Sequence, residues 1–195
     1  MKWAWQDPEK KLKLSSCSNP TILHVYAVVG KGFKSDLVFT APSPPTGSKA
    51  KKSKENFTGE RFVEVVEQLH KAIKVAGKDS PRHPVILDGA KQHAKKTSKA
   101  TMADMEFHYK QDFPAQSWDI NIIENVWGVL ETKLQQMRGR YPTTPDGWKR
   151  RLRDAWAEVG QSTIDKLVDS VKDRITGIIA LEGAWLFKHG NKGRK

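Results

Sequence analysis

The run Pro84-Val-Ile-Leu-Asp88 limits the folds open to this chain more than any other segment. It is too short for a stable helix. It is apolar without alternation, so it suits a strand buried on both faces, and it ends on a carboxylate followed by Gly89. A helical pattern comes before it: Thr58 as N-cap, then Phe62, Val66, Leu69 and Ile73 at i, i+4, i+7 and i+11, with Gly77 as the stop. A strand reached across a helix is expected to lie parallel to its sheet partner. Upstream, Thr21–Val29 is rich in β-branched residues and is stopped by Gly30-Lys31-Gly32. Asp36–Thr40 then follows at hairpin distance. Downstream, residues 91–105 form a basic helical or loop segment, and Glu106-Phe-His-Tyr109 is a candidate short strand. That order predicts a mixed α/β domain with helices packed on a sheet.

The C-terminal third reads as helix. Ile123, Trp127, Leu130, Leu134 and Met137 form one apolar stripe. Thr144-Pro145 is an N-cap with proline at the first helical position, followed by Trp148, Leu152, Trp156 and Val159, with Gly160 as the stop. Ser162 is expected to cap one further helix carrying Ile164, Leu167, Val168, Val171, Ile175 and Ile178, with Asp165 as its capping-box acid. Residues 42–55, with three prolines and four lysines, suit a basic loop, and residues 188–195 a frayed basic tail.

At 195 residues the chain can build one domain with a sizeable core, or two small ones. A single cysteine, Cys17, excludes an internal disulfide framework and fits a reducing compartment. The longest apolar stretch is too short to cross a bilayer, and the charged start is no signal peptide, so a soluble intracellular protein is expected. The formal charge is +12, and the first hundred residues carry most of the excess, with 19 basic against 9 acidic side chains. Two clusters concentrate it: Lys49, Lys51, Lys52 and Lys54, then Lys91, Lys95, Lys96 and Lys99. Such clusters bind nucleic acid through counterion release, without regard to sequence, or serve as solvated faces. No basic amphipathic helix supports a membrane surface as the partner.

Two acids stand out by position. Asp88 closes the apolar strand, where an α/β sheet presents side chains at its carboxyl edge. Glu124 lies in the first turn of the Trp127 helix. Two carboxylates about 4 Å apart repel by roughly 4 kcal/mol at an effective dielectric near 20, so a close pair needs a proton or a divalent cation. Sparse oxygen donors suit Mg²⁺ or Mn²⁺, and two such ions promote in-line phosphodiester displacement. The structural alternatives are a turn former for Asp88 before Gly89 and a capping box from Asn121 to Glu124.

The run Ser117-Trp-Asp-Ile-Asn-Ile-Ile-Glu-Asn-Val-Trp127 resembles the signature of mariner-type DDE transposases, a serine–proline–aspartate–leucine–asparagine–proline–isoleucine–glutamate run that enters a tryptophan-bearing helix. Val85-Ile-Leu-Asp88-Gly-Ala-Lys-Gln-His93 is similar to the motif of that family's second aspartate, and 35 residues separate Asp88 from Glu124, close to the family's spacing. The resemblance implies an α/β, ribonuclease H-like mixed sheet flanked by helices, with a helical C-terminal third. It implies a catalytic domain over residues 1–160, with residues 161–195 as a helix and basic tail packed on it. Asp88 and Glu124 become metal ligands for Mg²⁺ or Mn²⁺. His93, Asp119, Lys91, Lys95 and Lys96 become supporting or DNA-contacting residues. Double-stranded DNA is the implied partner, a homodimer is compatible, and the implied location is nuclear in a eukaryote and cytoplasmic otherwise.

Trp118 and Ile122 replace family prolines, and Gly89 replaces a common asparagine; none of these removes a metal-binding carboxylate. The family's first aspartate has no match, since Trp3-Ala-Trp5 looks like a later segment, and Asp7 and Glu9 lie on the wrong side of it. The expected activity is DNA strand cleavage and transfer, impaired in a chain truncated before that acid. Two rivals stand beside it: a non-catalytic DNA-binding derivative, and a different nuclease on the same fold using Asp36 as the third acid.

Overall fold

The computed structural model describes residues 23–40, 59–87, 96–110, 117 and 119–183. The first hairpin forms, but in two pieces. Strand β1 (Val25–Tyr26) pairs antiparallel with β4 (Val38–Phe39), and β2 (Val29–Gly30) pairs with β3 (Phe33–Lys34). Between the pieces, Val29 faces Lys34 while Tyr26 faces Val38, so one arm advances three residues and the other four. The extra residue is a β-bulge. Ser35 holds it: its N–H donates to the Val28 carbonyl at 2.8 Å, and its Oγ accepts from the Val28 N–H at 2.9 Å. At the tip, Gly32 has φ +64°, which suits glycine in a two-residue turn.

Alternation along the hairpin feeds two cores. Tyr26, Val28, Phe33 and Val38 pack with Phe62, Val65, Val66, Leu69 and Ile73 of α1 (Gly59–Val75), Met102 of α2 (Lys96–Asp104), and Phe107. Val25, Ala27, Val29, Leu37 and Phe39 pack with α3 (Ile122–Gln136), α4 (Pro145–Ala157) and α5 (Gln161–Asp169) through Val126, Leu130, Trp156 and Ile164. Helices therefore cover both faces of the hairpin, which accounts for the apolar character of both its side-chain sets. The expected strand at Pro84–Asp88 survives as a single parallel bridge between Val85 and Tyr109, the latter from the second candidate strand. The Val85 N–H donates to the His108 carbonyl and the Lys110 N–H to the Val85 carbonyl, both at 2.8 Å.

Helix ends follow the sequence in most places. Past α1, Gly77 at φ +64° lets the Lys78 N–H reach back to the Ile73 carbonyl at 3.0 Å. The Thr144 side chain accepts from the Gly147 N–H at 3.2 Å, with Pro145 opening α4. The last helix differs from the expectation. It begins at Gln161, with Gly160 and not Ser162 at the N-cap, and it breaks at Ser170 into α5 and α6 (Val171–Ala180). Asp165 is drawn away from a capping role because it accepts from the Gly32 N–H and the Gln161 amide, each at 2.8 Å. At the break, the Ser170 hydroxyl donates to the Leu167 carbonyl at 2.7 Å. Thr58, the basic segments 42–55 and 188–195, Cys17 and the Trp3–Trp5 region lie outside the described residues.

Candidate metal centre

The chain runs toward the first candidate acid through a half-buried segment in which Ile86 is exposed, where a strand buried on both faces was expected. Val85 and Leu87 rest against the α1–α2 core, and the Val85–Tyr109 bridge sets the direction of the segment. Asp88 itself lies outside the described residues, as do His93, Lys91 and Lys95; Lys96 opens α2.

The second candidate acid is described in full. The Ser117 carbonyl accepts from the N–H groups of Ile120 and Asn121 at 3.1 and 3.0 Å, closing a turn that aims the chain into α3. Asn121 is the N-cap with an extended ψ of 95°, and its side chain makes no cap hydrogen bond. The capping box from Asn121 to Glu124 is thus not formed. Glu124 occupies the first turn, exposed, and among the described residues its carboxylate accepts no hydrogen bond and meets no cation. Asp119 is buried in the preceding turn. The same turn is grasped from α6: one Arg174 nitrogen, Nη1, donates to the Asp119 carbonyl at 2.9 Å and to Asn125 Oδ1 at 2.8 Å. Behind Glu124, Trp127 packs against Trp156 with ring centroids 5.6 Å apart, so these tryptophans serve the core. Trp156 Nε1 donates to the Ser35 carbonyl at 2.8 Å and anchors α4 on the bulge.

Three polar devices were not anticipated from sequence. Asp79 accepts from buried His70 Nε2 at 3.0 Å and from His108 Nδ1 at 3.1 Å, tying the end of α1 to the segment that pairs with Val85. Because a carboxylate only accepts, both imidazole nitrogens must carry protons. Burial pushes the Asp79 carboxyl up, but the hydrogen bonds and charges of His108 and His70 outweigh it and hold it below the usual range. A histidine at 70 beside the Phe62–Ile73 stripe was the available signal, since a buried imidazole needs a partner. Lys34 donates to the Trp156 and Val159 carbonyls at 2.7 and 2.6 Å, capping α4 from the hairpin, and burial lowers its pKa against the pull of Asp36. The third device is the Arg174 grip, to which no sequence motif pointed.

Residues 38–146, more than half of the chain, match the DDE superfamily endonuclease family. The chain belongs to that family. Over 72 residues it is 38% identical to the Tc3 transposase and 36% identical to the Tc1 transposase, both of Caenorhabditis elegans, and 32% identical to the Tcb2 transposase of Caenorhabditis briggsae. Each alignment takes in 37% of this chain but only 22% of the Tc3 protein and 25% of the other two, so the match spans a quarter or less of those relatives. The fold is that of the catalytic domain of Mos1 transposase, ribonuclease H-like. The Mos1 structure with raltegravir and magnesium superposes with a TM-score of 0.64 at 14% identity, over 86% of this chain and 77% of that one. The corresponding manganese structure gives 0.59, also at 14% identity, over 86% and 78%.

Among the described residues the one candidate ligand is Glu124, an oxygen donor of the kind a hard divalent cation takes. Glu124 offers carboxylate oxygens with no competing partner, at a helix start that tolerates negative charge. Among the described residues no three His, Cys, Asp or Glu side chains gather to hold a metal, and Asp36, the spare acid, is exposed at the bulge. No helix among the described residues is long and apolar enough to cross a membrane.

Proposed function

We propose that this chain is the catalytic domain of a Tc1/mariner-type transposase that cuts and joins duplex DNA with Asp88 and Glu124 as ligands for Mg²⁺ or Mn²⁺. The observation that carries the reading is the exposed, unpartnered Glu124 carboxylate opening α3 within a turn and helix that keep the family's motif. When bound, the divalent ions polarise the phosphodiester and activate the attacking oxygen. The protein's share is positioning. The segment through the Val85 bridge would present Asp88, and the turn closed by the Ser117 carbonyl would present Glu124. The lysines at 91, 95, 96 and 99, with His93, would draw in and hold the DNA backbone. Residues 1–160 would form this catalytic unit, with residues 161–195 packed on it, working in the nucleus of a eukaryotic cell and compatible with a homodimer.

The test is incubation of the chain with duplex DNA containing a transposon end, with Mg²⁺ or Mn²⁺ present. Nicking of that DNA is expected, and Asp88→Ala or Glu124→Ala should abolish it. Cleavage that persists in both Asp88→Ala and Glu124→Ala overturns their assignment as metal ligands. DNA binding that survives both substitutions and ignores divalent ions, with no nicking, overturns the enzymatic reading in favour of a DNA-binding derivative.

A further inference from the structure

We propose that Arg174, on α6, is a positioning residue for Glu124; the inference rests on Glu124 being a metal ligand. Arg174 lies beyond residues 38–146, the stretch that carries the family match, and outside both acidic motifs. Its half-buried guanidinium makes three described hydrogen bonds. Nη1 donates to the Asp119 carbonyl at 2.9 Å and to Asn125 Oδ1 at 2.8 Å, while Nε donates to Ser170 Oγ at 3.0 Å. The first two acceptors lie on either side of Glu124 in sequence, one in the turn before α3 and the other one residue after the acid.

Helix electrostatics do not account for a cation at this place. The start of a helix attracts anions, so a guanidinium there gains nothing from the α3 dipole. What it supplies is geometry. Its Nη1 alone fastens the backbone of the entry turn to Asn125 in the first helical turn, while the other arm of the planar fork, Nε, is fixed from behind by Ser170, itself held by the Leu167 carbonyl. That brace is useful because, among the described residues, no hydrogen bond fixes the direction of the Glu124 carboxylate, and Asn121 supplies no side-chain cap. A metal ligand left so free needs its backbone fixed by neighbours, and such supporting contacts are commonly worth tenfold to a hundredfold in metal affinity. Arg174 therefore connects the C-terminal helix to the metal centre, and the break at Ser170 gives α6 the start from which Arg174 reaches α3.

Isothermal titration of the 195-residue chain with Mn²⁺ alone tests this, with thermal melting of each variant alongside. Arg174→Ala should weaken Mn²⁺ binding about tenfold or more. Arg174→Lys, which keeps the charge but not the fork, should remain weakened. Leu37→Ala, which thins the core at the hairpin without touching the turn or its brace, should lower the melting temperature and leave the Mn²⁺ affinity unchanged. If Arg174→Ala does not fold, Asn125→Ala takes its place and should weaken binding severalfold by removing one of the two bridged acceptors. Wild-type affinity in Arg174→Ala, or equal weakening in Leu37→Ala, overturns the positioning role while leaving the metal site standing. A wild-type chain that takes up no Mn²⁺ overturns the metal reading of Glu124, and this inference with it.

Discussion

Asp79 shows how a single carboxylate can hold together the frame under a site. Its pKa is depressed in the folded chain, so the unfolded chain binds the extra proton first as pH falls. The contribution is present above the ordinary carboxylate range and is lost as pH drops through the lower folded value. Asp165 behaves in the same direction, because the Gln161 amide and the Gly32 N–H stabilise its charged form. Melting temperature followed from about pH 5 to about pH 3 should therefore fall, and Asp79→Asn should flatten that acid limb. An unchanged slope in Asp79→Asn would mean that the two imidazoles gain nothing from the carboxylate. Trp156 offers a second test at this scale. Trp156→Phe retains a ring but leaves the Ser35 carbonyl without its indole donor, a loss of about 1–3 kcal/mol measurable by denaturant unfolding.

Elements with a strong period were legible from sequence because one force shaped them. The α1, α3 and α4 stripes and the Thr144-Pro145 start all appear where the apolar spacing and cap chemistry put them. The elements that shifted were set by long-range polar contacts, which leave no local pattern. Ser35 splits the hairpin by offering its hydroxyl to a backbone N–H, and Asp165 leaves the predicted cap to bind a turn 133 residues away. The candidate site is legible in the same uneven way. Glu124 was visible through its motif, whereas Arg174, 49 residues beyond Asn125, was not. Ile164 tests the element scale. It is fully buried where α5 meets the hairpin core, and Ile164→Ala should cost about 2–5 kcal/mol in denaturant unfolding. A cost under 1 kcal/mol would show that α5 is only loosely seated.

Taken whole, the molecule is a thin bulged hairpin covered by helices on both faces, with the family's turn and acid at the start of α3. The +12 charge makes any DNA affinity electrostatic in large part, so it should fall steeply as salt rises, whatever the DNA sequence. The deeper requirement is that the strand passing Val85 and the helix opening at Ile122 deliver their carboxylates to one place. Diffraction from crystals soaked in Mn²⁺, using the anomalous signal of the metal, reads this directly. The account predicts a manganese peak coordinated by both Asp88 and Glu124. A peak bound to only one of them, or manganese held elsewhere with the two side chains turned apart, would contradict it.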